Sequence, residues 1–286
     1  YHGRPSYKLR VGFVEGSKEL LGLELRPGND HTNADYLRFF QEIERQLPKN
    51  WVLLRIRADR GFFDNDNLTY WEDHCYEYVV KAKLTKKLKQ VINFLDEQNL
   101  WVEVEDGLHV AELRLPLTNW GRARRFVFIR QRPEIKDTRQ ASLMDHPAFW
   151  DVQAMVTNKE DLSALEVWRW YNGRATIENE IEELKSSYGI EMNSHQNLVA
   201  NQILTWAKAI AYNLATWFKH AFLDPKYHSW ELKTLRSRLL HIPGNIYGTA
   251  KSLKVSLPSW KPLKALHRMM EFRYMGFMKQ LVLLRC

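Results

Sequence analysis

Residues 51–56, WVLLRI, form a nearly continuous apolar run, and Asp59 follows three positions after its end and two before Gly61. A run of this length without polar alternation predicts a central strand that is buried on both faces of a sheet. Asp59 then lies just past the end of that strand. It is a candidate site residue, although an aspartate before a glycine is also typical of a simple turn.

The segments on either side of this strand define the fold class. Residues 7–14 and 19–25 read as two strands joined by a hairpin turn, and residues 36–47 repeat apolar side chains at helical spacing until Pro48. A hairpin, a helix and a buried strand that ends in an acid follow the order of an RNase H-like sheet after its first strand. We therefore predict an α/β protein with an RNase H-like mixed sheet flanked by helices.

Residues 101–129 change to the alternating pattern of β-strands. We interpret them as part of a β-rich insertion before the last catalytic helix. The predicted domains are residues 1–83 and 149–225 for the RNase H-like catalytic part, residues 84–148 for the insertion, and residues 226–286 for a C-terminal helical region.

Residues 171–185, YNGRATIENEIEELK, predict a single polar-faced helix. At about 100° per residue, Tyr171, Arg174, Glu178 and Lys185 fall within roughly 60° of one another. A carboxylate between cations suits metal-dependent phosphodiester chemistry, because the carboxylate can hold a divalent cation while the cations hold phosphate. The alternative is a surface helix with solvated ion pairs.

The spacing of these four residues resembles the Tyr-Arg-Glu-Lys signature of DDE transposases of the IS4 superfamily. Residues 57–63, RADRGFF, together with residues 3–7 and 25–29, resemble its IS1380 branch. The resemblance implies DNA transposition, with DNA cleavage and strand transfer at insertion-sequence ends. It implies that Asp59 and Glu178 are the catalytic carboxylates and hold Mg²⁺ or Mn²⁺, with Glu182 as the competitor for Glu178.

The same resemblance assigns DNA-binding roles. It implies that Tyr171, Arg174 and Lys185 position the phosphate near the cleaved end. Trp150 is the candidate to stack on a flipped base, with a buried core tryptophan as the alternative. The implied partners are double-stranded DNA, as terminal inverted repeats and target, and a second copy of the chain in a homodimer.

One departure from the family concerns the first catalytic aspartate, which lies on the strand before the hairpin. The chain starts at Tyr1, after the expected position of that strand, so we expect an N-terminal truncation and a poorly active polypeptide. The alternative function is a catalytically dead transposase remnant that only binds DNA. An RNase H-like nuclease unrelated to transposition is disfavoured by the Tyr-Arg-Glu-Lys spacing.

Charge and composition fit a nucleic-acid partner. The net charge is +8 and the pI is near 9.3, which favours a polyanion. Two basic clusters could meet phosphates or could simply be solvated: Lys81, Lys83, Lys86, Lys87 and Lys89, and Arg122, Arg124, Arg125, Arg130 and Arg132. No apolar run is long enough for a membrane span, and the two cysteines lack metal-ligand spacing. These features and the resemblance predict a cytoplasmic, nucleoid-associated bacterial protein.

Overall fold

The structure is a computed structural model that describes residues 6–132, 150–173, 175–192, 195–241, 243–249, 252–256 and 268–275. The chain divides into two compact units. The terminal unit comprises Tyr1–Asn29 and Ile177–Cys286, and the sheet unit comprises Asp30–Thr176.

The described strands and α-helices are as follows, in chain order: β1 (Tyr7–Phe13), β2 (Leu20–Pro27), α1 (Tyr36–Gln46), β3 (Arg55–Ala58), α2 (Asn65–Asp73), β4 (Glu77–Lys81), α3 (Lys86–Glu97), β5 (Val102–Glu105), β6 (Leu108–Leu115), β7 (Arg124–Gln131), β8 (Asp151–Thr157), α4 (Ala164–Asn172), α5 (Ala175–Ser186), α6 (Leu198–Phe222), α7 (Leu232–Leu235), β9 (Asn245–Thr249) and β10 (Ser252–Ser256). Residues 268–275 are also helical. No helix within these ranges has the length and hydropathy to cross a membrane.

Six strands of the sheet unit form one mixed sheet in the order β3-β4-β8-β7-β6-β5. β3 and β4 are parallel, and the remaining pairs are antiparallel. Alternate residues of the central strands enter two hydrophobic clusters, as the two-residue period of a strand requires. One cluster packs residues such as Tyr78 and Phe126 against α1, α2 and α3, and the other packs Val79 and Val127 against α4. The predicted α/β class, a mixed sheet flanked by helices, is confirmed.

The prediction of a central strand at residues 51–56 is wrong. The strand is β3, Arg55–Ala58, and it lies at one end of the described sheet, with β4 as its neighbour. Trp51, Val52 and Leu54 precede β3 and are exposed. An apolar run signals burial on average, but it does not state where pairing begins, and here the pairing starts where the run ends.

The segment predicted as a β-rich insertion, residues 84–148, contributes β5, β6 and β7. These strands continue the sheet that contains β3 and β4, with β8 between β4 and β7. The register of β6 and β7 is unbroken over eight residue pairs. The four predicted domain ranges stay predictions.

The terminal unit is built from the β1–β2 hairpin and α6. The antiparallel strands pair from Tyr7 with Pro27 up to Phe13 with Leu20. The side chain of Asn213 on α6 accepts the Leu20 amide and donates to the Leu20 carbonyl, both at 2.9 Å, and Gln202 accepts the Leu25 amide at 2.6 Å. A helix thus satisfies backbone groups along β2 that would otherwise need another strand.

This arrangement corrects the prediction for α6. Apolar residues at helical spacing over residues 199–222, around Trp206, Ile210 and Trp217, predict a core helix packed on the sheet. Instead the buried face is small or polar, with Asn201, Thr205 and Ala209, because that face approaches and bonds the hairpin backbone. The apolar face is exposed by 40% to 66% per residue and comprises Val199, Ile203, Trp206, Ile210, Leu214 and Trp217. We call these six residues the α6 stripe.

Candidate active site

Asp59 directly follows β3 and has extended backbone angles, φ −75° and ψ 165°. It caps a short 3-10 turn, Arg60–Phe62, because one of its carboxylate oxygens accepts the Arg60 amide at 2.8 Å. The residue is exposed. Extended geometry continues the alternation of the strand, so Asp59 projects to the same face as Arg57. The turn role considered for Asp59 is therefore real.

The contacts of Arg57 identify the face of the sheet to which Asp59 projects. In the parallel register Arg57 is opposite Val79, whose side chain packs on α4. One terminal nitrogen of Arg57 donates to the Trp170 carbonyl in the last turn of α4, at 2.9 Å. A cation at a helix C-terminus is favourable because it satisfies an open carbonyl and complements the helix dipole. Asp59 thus lies at the strand end on the side of the sheet that α4 covers.

The same contact corrects the prediction of a single helix over residues 171–185. α4 ends at Asn172 and α5 begins at Ala175. Arg57 approaches the chain at this break, where it donates to the Trp170 carbonyl. Gly173 permits the approach, because a Cβ there would lie 2.4 Å from the same Arg57 nitrogen. Tyr171 therefore belongs to α4, whereas Glu178 and Lys185 belong to α5.

Arg57 is a site residue that the sequence interpretation missed. It belongs to the RADRGFF motif, but an arginine just after a predicted buried strand gave no reason to expect a helix-capping role. Its position two residues before Asp59 was the available signal, since residues i and i+2 of a strand share a face.

Tyr171 is buried, with 5% exposure, in the cluster that joins α4 to the sheet. The structure thus gives Tyr171 a packing role, and its predicted contact with phosphate stays a prediction. Arg174 lies outside the described residues.

Four carboxylates of α5 differ in their surroundings. Glu180 is buried and pairs with Lys18 at 2.7 Å, and Glu183 accepts the Leu232 amide at 2.8 Å. Both therefore hold the terminal unit together. Glu178 and Glu182 are exposed. Glu178 lies in the first turn of α5, where a carboxylate also stabilises the helix dipole.

Lys185 is in the last turn of α5, and its ammonium lies 2.9 Å from a carboxylate oxygen of Glu191. The hydrogen bond to Glu191 raises the pKa of Lys185. Both side chains are largely exposed, and an exposed pair of this kind contributes about 0–1 kcal/mol. A phosphate could replace Glu191 at little energetic cost.

Trp150 immediately precedes β8 and is half-buried. Its ring lies under two guanidinium groups, 4.8 Å from Arg130 and 5.6 Å from Arg132, and its edge-to-face neighbour is His109 at 4.9 Å. The described contacts of Trp150 are therefore cationic and aromatic. Stacking on a flipped base stays a prediction.

The donor chemistry of the predicted carboxylates fits a hard divalent cation. Exposed carboxylate oxygens, as on Asp59 and Glu178, are ligands that Mg²⁺ and Mn²⁺ prefer. Asp59 lies in the sheet unit and Glu178 in the terminal unit. Within the ranges that the structure describes, no group of three or more histidine, cysteine, aspartate or glutamate side chains is arranged to hold a metal ion.

A mixed sheet covered by helices on both faces, with an aspartate at a strand end and a following acidic helix, places the protein in the RNase H-like class. The model of the family described as transposase DDE domain group 1 matches residues 1–273. The chain therefore belongs to this family and is a DDE transposase, which implies that its substrate is DNA. No curated protein matches the chain at a significant level of similarity.

Proposed function

We propose that the protein catalyses metal-dependent DNA cleavage and strand transfer at the ends of an insertion sequence. The observation that carries this proposal is the position of Asp59, at the end of β3 and on the α4 side of the sheet. In RNase H-like proteins this chemistry depends on one carboxylate at a strand end and another on a later helix of the chain. We further propose that the chain belongs to the IS4 superfamily, near its IS1380 branch, because its signature residues resemble those of that group.

Asp59 and Glu178 are the proposed catalytic and metal-binding carboxylates, with Mg²⁺ or Mn²⁺ as the ion. When bound, the ion supplies Lewis-acid polarisation of the scissile phosphate and of the attacking oxygen. The protein's own part is to hold its carboxylates in place. Arg57 contributes to this by joining the strand end to α4 two residues before Asp59.

Tyr171, Arg174 and Lys185 are proposed to position the phosphate near the cleaved end, and Trp150 to stack on a base there. Lys185 supports this role because its exposed partner Glu191 is replaceable. Tyr171 can take part only through its hydroxyl, since the ring is packed in the core.

The proposed partners are the terminal inverted repeats, target DNA and a second copy of the chain. For the second copy we propose the α6 stripe as the contact surface. Its residues recur at intervals of four and three, the period that lets two helices pack along a common seam. Side chains of this size and exposure offer on the order of 600 Å² per copy, close to the ~800 Å² per partner of a stable interface. We propose that this dimer acts on the bacterial nucleoid.

The test is cleavage of labelled DNA carrying the ends of the parent element, with Mg²⁺, by the full gene product and by Asp59→Asn, Glu178→Gln and Glu182→Gln variants. We expect the first two variants to lose cleavage by at least a thousandfold and Glu182→Gln to retain it. Glu182→Gln is the matched control, since it removes an equally exposed carboxylate from the same helix. Thermal unfolding of each variant separates lost chemistry from lost folding.

Each alternative outcome is informative. Loss only in Glu182→Gln would assign the glutamate role to Glu182. Cleavage that persists in Asp59→Asn would exclude Asp59 as a catalytic residue. An inactive wild-type protein that still binds DNA would favour the non-catalytic remnant.

A further inference from the structure

Four lysines at the start of α3 form an exposed positive surface in the sheet unit. We call Lys83, Lys86, Lys87 and Lys89 the α3 lysine patch; all four residues are exposed. Within the described ranges, none of the four pairs with a carboxylate, whereas Lys159 and Lys185 each do. The patch therefore presents its full charge to solvent.

The neighbouring arginines behave differently. Arg122 and Arg124 pair with Glu72, Arg125 pairs with Glu112, and Arg130 pairs with Asp96. Their charge is balanced inside the unit, and Arg124 and Arg125 are buried. Four of the five arginines in that cluster are thus paired with carboxylates, whereas among the described salt bridges neither Arg132 nor any of the four patch lysines is paired.

The charge order along α3 opposes helix stability. Three lysines occupy its first turn, while Asp96 and Glu97 are in its last turn. The helix dipole favours acids at the beginning of a helix and bases at its end, so both ends of α3 carry the less stable choice. A stabilising role therefore does not explain the lysines, and residues that break such a local rule are often functional.

The patch is also held in position. Leu88, Ile92 and Leu95 are buried in the main core and fix the rotation of α3. Thr85 caps the helix and accepts the Leu88 amide. The backbone beneath the lysines is therefore set before any ligand arrives, while their long side chains can adapt to a phosphate chain.

We propose that the α3 lysine patch binds the phosphate backbone of duplex DNA without regard to sequence, outside the cleavage site. This inference rests on the proposed function, because it takes DNA as the substrate. A polyanion fits better than an acidic protein, since lysine is depleted at the cores of protein interfaces and supplies most sequence-independent affinity for DNA. The ammonium groups of the patch contact phosphates of the duplex that flanks the cleaved end or of the target duplex.

The experiment measures the affinity of the full chain for two labelled duplexes, one with an element end and one scrambled, between about 50 and about 200 mM salt. The patch variant carries four changes: Lys83→Gln, Lys86→Gln, Lys87→Gln and Lys89→Gln. The matched control removes four other exposed lysines: Lys49→Gln, Lys226→Gln, Lys233→Gln and Lys254→Gln. A third variant replaces the four patch lysines with arginine.

We expect the patch variant to bind both duplexes at least tenfold more weakly at the lowest salt. Its slope of log affinity against log salt should fall by about 2 to 4, since each phosphate contact contributes about 0.9. The control and the arginine variant should keep most of the wild-type slope. The patch variant should unfold at the same temperature as wild type or higher, because the repulsion with the helix dipole is gone.

Equal slopes for the patch variant and the control would overturn the proposal, as would a wild-type protein that does not bind DNA. A loss confined to the element-end duplex would also overturn it, because it would indicate end recognition. If wild type binds both duplexes through the patch but cleaves neither, the proposed catalytic function fails while the patch stands. If wild type cleaves and the patch variant keeps its slope, only the patch fails.

Discussion

The ammonium of Lys18 lies 2.7 Å from a carboxylate oxygen of Glu180, and Glu180 is 4% exposed. Lys18 lies in the turn of the β1–β2 hairpin and has a left-handed backbone, φ 64°. The pair joins α5 to the hairpin inside the terminal unit. Two glutamates that are two positions apart on α5 therefore have different surroundings, since Glu178 is exposed.

We predict that Glu180→Gln destabilises the protein by about 1–3 kcal/mol, because it replaces a charge-assisted contact at a buried position with a weaker neutral one. Glu178→Gln should change the free energy of unfolding by less than about 1 kcal/mol, the worth of a carboxylate in a first helical turn. Urea unfolding of the two variants beside wild type measures the difference. Equal stabilities would mean that the Lys18–Glu180 pair contributes little in solution.

The network around Glu72 predicts a dependence of stability on pH. Burial raises the pKa of Glu72, but hydrogen bonds from Arg124 and Tyr78 outweigh it, and the net pKa is lowered from 4.5. A lowered pKa stabilises the folded state above about pH 4.5, and this contribution is lost as pH falls through the folded-state pKa. Glu72→Gln should cost about 3–5 kcal/mol at neutral pH, because it leaves the Arg124 charge buried and unpaired.

The measurement for this network is the free energy of unfolding from pH 7 down to pH 3. The gap between wild type and Glu72→Gln should be constant at the upper end and should narrow below about pH 4.5. Asp73→Asn is the control, since Asp73 contacts only the exposed Arg122 among the described salt bridges. A gap that does not change with pH would show that charge on Glu72 is not what stabilises the network.

The contact of Arg57 with α4 can be tested by a double-mutant cycle with Gly173. Gly173→Ala should displace the Arg57 guanidinium and remove its bond to Trp170, and Arg57→Met removes the same bond directly. Each change should cost about 1–2 kcal/mol. The double variant should cost little more than either single one, because all three lose one shared interaction. Additive losses would show that the two residues act separately.

The α6 stripe predicts self-association. Ile210→Glu places a charge in the middle of the stripe and should raise the dimer dissociation constant at least tenfold. Ala211→Glu is the control, because it adds the same charge at an exposed position of the same helix about 100° away from Ile210. Sedimentation equilibrium over a range of concentrations measures both. A monomeric wild-type protein, or equal dissociation constants for the two variants, would contradict the proposed surface.

The parts of the fold that followed from sequence are those with a strong local pattern. The β1–β2 hairpin and the mixed sheet flanked by helices both appear as the turn and periodicity rules predict. Their side chains carry the signal within a few residues. In such segments the pattern of side chains within a few positions is enough to predict the structure.

The rest depended on partners far away in the chain. In the sequence, Gly173 is compatible with a continuous helix. In the structure, Arg57, more than a hundred positions earlier in the chain, donates to the Trp170 carbonyl. The buried face of α6 could not be predicted from hydropathy, because Asn213 and Gln202 bond the backbone of β2. The sequence left the arginine cluster open between phosphate contact and a solvated surface, because it does not show that Glu72 and Glu112 pair with Arg124 and Arg125.

The position of β8 in the sheet has a consequence for how the chain folds during synthesis. Among the described strands, β8 alone joins the β3–β4 pair to the β5–β6–β7 meander, through pairs such as Val80 with Val156. Both halves leave the ribosome before β8 does, at about 5–20 residues per second. A nascent chain arrested before residue 150 would therefore carry two unjoined half-sheets, each with a hydrophobic strand edge open to chaperones or to aggregation.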